Sequence, residues 1–231
     1  MKHSVLVVGL IGAALLFSVS LNADETSVSP LPKVLIIGDS ISLGYTPFVK
    51  SLLKDKAAVV HNQGNAASTI CGVQAIDKWI GDKKWDVIHF NWGLWDMYGW
   101  RYWKEDISPE AYEKRLTEIV RKLRKTGATL IWATTTPPCT DSEVTMKKKF
   151  GKDVIITTEK EKQYLQAAER VMKKFNVRIN DLRKVILPVR SKYSLGSTNV
   201  HYTEAGYRLL AKKVAESIIH ALGDNPHTAG K

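Results

Sequence analysis

The sequence predicts an α/β protein in which a parallel five-stranded sheet lies between two layers of helices. Short, continuous apolar runs are typical of strands that are buried on both faces. They alternate along the chain with segments whose apolar residues recur at helical spacing, and this alternation indicates a parallel sheet. Apolar residues make up 44% and charged residues 25% of the 231 residues, a globular composition that excludes a disordered or collagen-like chain.

The elements follow one another as strand and helix. The predicted strands are residues 34–37, 57–61, 85–91, 128–133 and 177–179. Helical spacing follows them in residues 45–53, 73–80, 112–123, 164–175 and 210–222, and Thr203 is the expected N-cap of the last helix. Residues 92–103 are predicted to form a loop, because Gly99 and Arg101 interrupt any helical spacing there.

Residues 33–223 read as one domain, since no Pro/Gly/Ser-rich linker divides them. In parallel sheets of this kind a ligand binds beyond the carboxyl ends of the strands. Polar residues gather at those ends in this chain, at residues 39–40, 62–64, 91–93, 134–136 and 180–181. The sequence therefore predicts a functional site at this edge of the sheet.

The first 23 residues have the features of a secretory signal peptide: a basic start at Lys2, an apolar run over residues 4–20 and a small residue at Ala23. The alternative is a membrane anchor, but the run is shorter than the ~20 residues that a span needs. We expect cleavage near Ala23, export to the periplasm or the medium, and no stable membrane insertion afterwards. Residues 24–32 then form a linker and residues 224–231 a polar tail.

The chain has two cysteines, Cys71 and Cys139, too few for a disulfide framework. Each follows a predicted strand, and an exported protein meets an oxidising compartment. Two interpretations stay open: a disulfide between them, or two unpaired small apolar side chains.

Two residues could supply nucleophilic catalysis. Ser40, in Gly38-Asp39-Ser40, ends the first strand and begins a helix, where free N–H groups stabilise an oxyanion. Its alternative role is a helix cap. A serine nucleophile needs a base, and His201, one of six histidines, lies just before the last helix at the same edge of the sheet. Alone, this histidine would be read as a surface residue.

Together, Gly38-Asp39-Ser40 and Val200-His201 resemble the motif blocks of the SGNH, or GDSL, hydrolase superfamily over about residues 33–220. The resemblance implies a flavodoxin-like sheet with strand order 2-1-3-4-5 and an ester hydrolase. It implies Ser40 as the nucleophile, His201 as the general base, and Gly64 as an N–H donor to the oxyanion alongside Ser40.

The third and fourth motif blocks depart from the family pattern. The third block, residues 93–96, resembles that of a bacterial branch of the superfamily in its other positions. Trp95 stands where the family has an asparagine that completes the oxyanion hole, so Asn91 or the Trp95 indole is the expected substitute donor. Thr198 stands where the family has an aspartate, three residues before the histidine. Asp181 is a candidate replacement acid; its alternative role is to cap a loop.

Six aromatic residues lie within residues 92–103, at the predicted site edge. Aromatic faces stack on sugar rings, although a hydrophobic cover over the core would have the same composition. We expect substrate binding by Asp39, Trp92, Trp95, Asp96 and Trp100.

The net charge of +11 includes the run Lys147-Lys148-Lys149, which could attract an anionic glycan or simply be a solvated surface. No nucleic-acid, nucleotide or metal motif occurs, so we expect no cofactor, no metal and no nucleic-acid partner. The first hypothesis is an exported serine esterase acting on a small ester or an acylated glycan, such as an acetylated polysaccharide. The alternative is a catalytically impaired carbohydrate-binding protein of the same fold.

Overall fold

The computed structural model describes Met1 and residues 30–102, 104–139 and 156–224. Its strands are all parallel and form one sheet in the order β2-β1-β3-β4-β5, which confirms the predicted fold. The strands are β1 (Lys33–Ile37), β2 (Ala58–His61), β3 (Val87–Phe90), β4 (Thr129–Ala133) and β5 (Arg178–Asn180). The predicted signal peptide, the run of lysines at 147–149 and residues 225–231 of the predicted tail lie outside the described residues.

Helices cover both faces of the sheet. They are α1 (Ser40–Leu52), α2 (Thr69–Ile80), α3 (Leu94–Tyr98), α4 (Pro109–Arg124), α5 (Thr158–Phe175), α6 (Leu182–Ile186), α7 (Arg190–Tyr193) and α8 (Glu204–Gly223), with a 3-10 turn at Leu187–Val189. Helix α1 packs against α8, while α4 packs between α2 and α5. The two groups account for the outer layers of the predicted sandwich.

The apolar runs in the sequence form the buried strands, as predicted. All four residues of β3 and the last four of β1 are buried, because these strands lie inside the sheet with helices on both faces. Strand β5 lies at an edge and leaves Ile179 about half exposed. Because β1 and β3 are held inside the sheet, the residues that follow them lie at its carboxyl edge, where the site was predicted.

Residues 92–103 differ from the predicted loop. Residues Leu94–Tyr98 form the short helix α3, and Gly99 ends it in the left-handed conformation, with φ +68°. Gly99 thus marks the end of the helix, but the five residues before it were long enough for one turn.

The two cysteines are free, so of the two open interpretations the structure has the unpaired thiols. Cys139 is buried, with its Sγ 3.0 Å from Tyr98 Oη. Cys71, on α2, is partly buried and lies beside the Tyr102 side chain. Each thiol therefore meets a tyrosine of the aromatic segment rather than the other thiol.

None of the helices in the described ranges combines the length and the apolar character that crossing a bilayer demands.

Candidate active site

Ser40 lies at the sharp turn between β1 and α1. The turn is held by Gly38, whose N–H donates to Asn62 Oδ1 at 3.0 Å, and by Asp39, whose Oδ1 accepts from Ile41 N at 2.9 Å. Ser40 is the first residue of α1 and is partly exposed. Its hydroxyl is thus fixed at a helix N-terminus and stays open to solvent.

Asp39 caps α1, which corrects its predicted role in substrate binding. The residue is 4% exposed, and its carboxyl group accepts from the Ile41 N–H inside the turn. Burial raises its pKa to about 6, even though its backbone bonds lower it. A side chain held this way stabilises the Ser40 turn and is largely closed off from a ligand.

His201 lies on a loop that folds back on itself before α8. Leu195 N donates to His201 O at 3.0 Å, and Thr203 N donates to Tyr193 O at 2.7 Å. Thr203 caps α8 as predicted, since its side chain accepts from Gly206 N. The loop brings His201 Nε2 to 2.8 Å from Ser40 Oγ, so the two residues that the sequence singled out are hydrogen-bonded.

The other imidazole nitrogen of His201 meets an asparagine. Nδ1 lies 2.8 Å from Oδ1 of Asn199, two residues earlier. The same oxygen lies 3.0 Å from the His201 backbone N. Serine, histidine and asparagine therefore form one hydrogen-bonded line at the carboxyl edge of the sheet.

Asp181 is not the partner of His201, and the prediction of an acid there is wrong. It caps α6: its Oδ1 accepts from Lys184 N at 3.0 Å and from Thr134 Oγ1 at 2.9 Å. This is the loop-capping role that was its alternative, and His201 Nδ1 is bonded to Asn199 instead.

Two backbone N–H groups remain available for an oxyanion, those of Ser40 and Gly64. Among the described residues no acceptor is bonded to either. Gly64 is exposed and has φ +76°, a conformation that favours glycine. Its loop is tied to the Ser40 turn, because Ala66 N donates to Gly38 O at 3.0 Å.

Asn91 does not complete this hole, which corrects the second donor that was expected. Its side-chain Nδ2 donates to Ala133 O at 2.8 Å and to Thr135 Oγ1 at 3.2 Å. Both amide protons are used to join β3 to the end of β4. The Asn91 side chain therefore has a structural role: its hydrogen bonds connect neighbouring strands.

Two further predictions of substrate binding are wrong. Trp92 is 1% exposed and donates from Nε1 to Ala66 O, so it belongs to the core. Asp96 is fully buried and accepts from Thr69 N and Oγ1, which joins α3 to the start of α2, with Arg115 3.9 Å away. Burial raises the pKa of Asp96 to about 7. Neither side chain reaches a ligand at the edge.

The residues in the described ranges include no group of three histidine, cysteine or acidic side chains that could hold a metal ion.

A sequence-family model described as GDSL-like lipase/acylhydrolase matches residues 34–214. The chain belongs to this family. The match spans β1 to α8 and includes Ser40, Gly64 and His201. The chain is thus an ester hydrolase of the GDSL, or SGNH, type. Among curated proteins, none matches the chain at a significant level.

Solved structures of GDSL-type enzymes share the fold. An acetyl xylan esterase, AlAXEase, is 18% identical with a TM-score of 0.62, over 80% of this chain and 99% of that one. A lipase/acylhydrolase from Enterococcus faecalis is 19% identical with a TM-score of 0.64, over 81% and 95%. A mutant of Axe2, an acetyl-xylooligosaccharide esterase from Geobacillus stearmophilus, is 18% identical with a TM-score of 0.63, over 81% and 94%.

The third block of this GDSL chain keeps an unusual residue at its centre. Trp95, on α3, is partly exposed and packs edge-on against Trp100, with ring centroids 5.3 Å apart. The Arg101 guanidinium lies 5.6 Å from the Trp95 ring. Trp95 and Trp100 thus remain the aromatic side chains of the predicted set that are accessible to a ligand.

Sequence reasoning missed two features of this GDSL site. Asn199 carried no motif signal, because the family places its acid one residue earlier. Ser42 Oγ lies 2.7 Å from His61 Nε2 and 2.8 Å from Asp39 O, which braces the first turn of α1 from the end of β2. The Ser42–His61 contact joins α1 to β2, the strand next to β1 in the sheet, so only the sheet order could have indicated it.

Proposed function

We propose that this chain is an exported esterase that removes acetyl groups from a polysaccharide, with Ser40 as nucleophile and His201 as general base. One observation carries the catalytic assignment: Ser40 Oγ lies 2.8 Å from His201 Nε2, within the range for proton transfer. Ser40 is also open to solvent, whereas the neighbouring Ser42 is 3% exposed and cannot reach a substrate.

Acylation begins when Ser40 Oγ attacks the ester carbonyl carbon and His201 Nε2 takes the hydroxyl proton. The carbonyl oxygen becomes an oxyanion, which accepts hydrogen bonds from the N–H groups of Ser40 and Gly64. The tetrahedral intermediate then expels the sugar alkoxide, which takes the proton from the His201 imidazolium. An acyl-Ser40 enzyme remains.

Deacylation repeats these steps with water. His201 Nε2 removes a proton from a water molecule that attacks the acyl carbon, and the same two N–H groups hold the second oxyanion. Collapse releases the carboxylic acid and returns the proton to Ser40 Oγ. Trp95 is the remaining side-chain candidate for a third donor, because both amide protons of Asn91 are already bonded.

Labelling by a fluorophosphonate probe tests the catalytic assignment. We expect wild-type protein to hydrolyse p-nitrophenyl acetate and to gain one phosphonyl group on the peptide that contains Ser40, read by mass spectrometry. A folded protein that shows neither reaction would leave the alternative, a carbohydrate-binding relative without catalysis. A mature N-terminus near Asp24, found in protein collected outside the cytoplasm, would support export.

The glycan substrate rests on the aromatic surface of Trp95 and Trp100. Both side chains are partly exposed at the site edge, and flat aromatic faces suit sugar rings. Two structural neighbours carry names that refer to acetylated xylan or xylooligosaccharide. The Arg101 guanidinium lies beside the Trp95 ring, and a cation at this surface suits a polar ligand.

Changing Trp100 to alanine should raise KM for acetylated xylooligosaccharides by about 10-fold, because one aromatic contact is worth up to roughly 1.5 kcal/mol. The same change should alter KM for p-nitrophenyl acetate less than about 2-fold, since that small ester needs no sugar platform. Trp100→Phe keeps an aromatic face and should restore most of the binding. Equal effects on both substrates would contradict a sugar-binding role.

A further inference from the structure

The hydrogen bonds around Asn199 determine the orientation of its amide group. The backbone N–H of His201 can only donate, and it lies 3.0 Å from the Asn199 side-chain atom assigned as Oδ1. A nitrogen at that position would place two donors face to face. The atom is therefore the amide oxygen, and the hydrogen bond alone distinguishes it from the amide nitrogen.

That oxygen in turn determines the tautomer of His201. Oδ1 has no hydrogen, so the 2.8 Å contact with His201 Nδ1 requires a proton on Nδ1. In the neutral imidazole Nε2 is then unprotonated and accepts from the Ser40 hydroxyl at 2.8 Å. This is the only neutral tautomer in which the histidine can take the serine proton.

Asn199 is itself held in place by its loop. Its N–H donates to Gly196 O at 3.2 Å, and Ser194 Oγ lies 2.7 Å from Gly196 O and 3.3 Å from Asn199 O. The Ser194–Tyr202 bridge closes this loop at its base. The loop thus holds the Asn199 backbone in place, and the bond from His201 N holds its side-chain oxygen.

We propose that Asn199 is the positioning residue for His201, in the role that an aspartate three residues before the histidine has in the family. The proposal rests on the esterase function proposed above. A neutral amide orients the ring and fixes its tautomer as an acid would, but it supplies no negative charge to the imidazolium that forms during catalysis. The site thus contains a hydrogen-bonded Ser–His–Asn line in which the group bonded to Nδ1 is a neutral amide.

In the described part of the chain, the ionisable groups on the elements that flank the His201 loop are the same in every variant. Asp39, on the Ser40 turn, is directed to Ile41 N, and on α8 Glu204 pairs with Arg208 while Tyr207 packs against Tyr202. A comparison that changes only position 199 therefore isolates the charge next to Nδ1.

The test compares Asn199→Asp and Asn199→Ala with the wild type. In Asn199→Asp a carboxylate at Nδ1 should raise the midpoint of the acidic limb of kcat/KM by about 1 to 3 pH units, because an adjacent opposite charge favours the imidazolium. Asn199→Ala should lower kcat at least about 10-fold with little change in KM, because the ring loses its fixed tautomer, a loss that reaches ~10⁴ in serine proteases.

Imidazole ¹⁵N chemical shifts give a readout that does not depend on activity. We expect the wild type to show the Nδ1–H tautomer at His201 above its pKa, and Asn199→Asp to show a raised His201 pKa of the same size as the kinetic shift. Asn176→Asp is the matched control, since it adds the same charge at the C-terminus of α5, at the opposite edge of the sheet. It should move neither readout.

An Nε2–H tautomer in the wild type, or an Asn199→Ala variant with unchanged kcat and unchanged His201 titration, would overturn the proposal. Wild-type protein that shows the expected tautomer and titration shifts but hydrolyses no ester would refute the esterase function and leave the positioning role of Asn199 standing. The two proposals can therefore fail separately.

Discussion

Replacing Ser40 with alanine is expected to lower kcat for p-nitrophenyl acetate by about 10⁴- to 10⁶-fold, to the rate that binding and the oxyanion donors give alone. His201→Ala should cost a similar factor, because Ser40 Oγ then has no base to take its proton. Since the two residues act as one unit through a 2.8 Å bond, the double variant should be no slower than either single variant. Initial rates measured at matched concentrations of folded protein check all three.

Matched controls exist on the same two helices. Ser51 is an exposed serine near the end of α1, and His220 is an exposed histidine near the end of α8. Ser51→Ala and His220→Ala should retain activity within about 2-fold, because neither contacts the site and surface changes are usually small. If the losses in Ser40→Ala and His201→Ala simply multiplied in the double variant, the two residues would not share one catalytic step.

The fold and the two central residues could be predicted because each leaves a strong local signal. Continuous apolar runs such as residues 34–37 occur where a strand is covered on both faces, and the structure buries all four of them. Ser40 and His201 could be found because a parallel sheet brings the ends of its strands to one edge, whatever the length of the chain between them. Sequence separation therefore did not hide this pair.

Predictions that depend on side-chain direction failed. Asn91, Trp92 and Asp96 all follow β3 at the correct edge, but the chain turns at once into α3 and directs these three side chains to neighbouring elements. Sequence shows that a residue follows a strand and not which way it points. The pairing of the cysteines stayed open at the sequence level for the same reason, and in the structure each thiol faces a tyrosine.

The partner of His201 shows the limit most clearly. Asp181 has the charge that a triad acid needs, and Asn199 does not, so residue type favours the wrong residue. The conformation of one loop determines which residue contacts His201. This loop is closed by the Ser194–Tyr202 bridge and brings the Asn199 side chain onto the imidazole two residues later. Contacts of this kind arise from tertiary packing of a short loop and have no periodic signal in the sequence.

His89 is expected to make the fold sensitive to acid. It is fully buried on β3, where Nε2 lies 3.1 Å from Asn180 Nδ2 and the Tyr45 ring packs edge-on at 6.3 Å. Nδ1 has no bonded partner among the described residues. Because burial disfavours the charged form, the pKa of His89 is lowered to about 3. The unfolded chain binds this proton near pH 6.5, so stability falls as the pH is lowered from 6.5 toward 3.

The size of the effect follows from the same linkage. At pH 4 the unfolded histidine is protonated and the folded one is not, which costs roughly 3 kcal/mol relative to pH 7, at 1.36 kcal/mol per pKa unit. Asp39 and Asp96 oppose this loss, because burial raises the pKa of each and their protonation stabilises the fold as pH falls. The pH dependence of wild-type stability therefore combines the contributions of His89, Asp39 and Asp96, and does not measure that of His89 alone.

His89→Gln isolates it, because glutamine keeps polar atoms at the site without titrating. Unfolding free energies from urea denaturation at pH 7 and pH 4 should show the wild type losing roughly 3 kcal/mol more than the variant between the two pH values. The variant is expected to be less stable at pH 7, because the packing around the imidazole ring is lost. The test therefore depends on how the difference in unfolding free energy between the two proteins changes from pH 7 to pH 4. Parallel losses in the two proteins would mean that His89 takes up its proton without unfolding, through an opening of the β3–α1 contact.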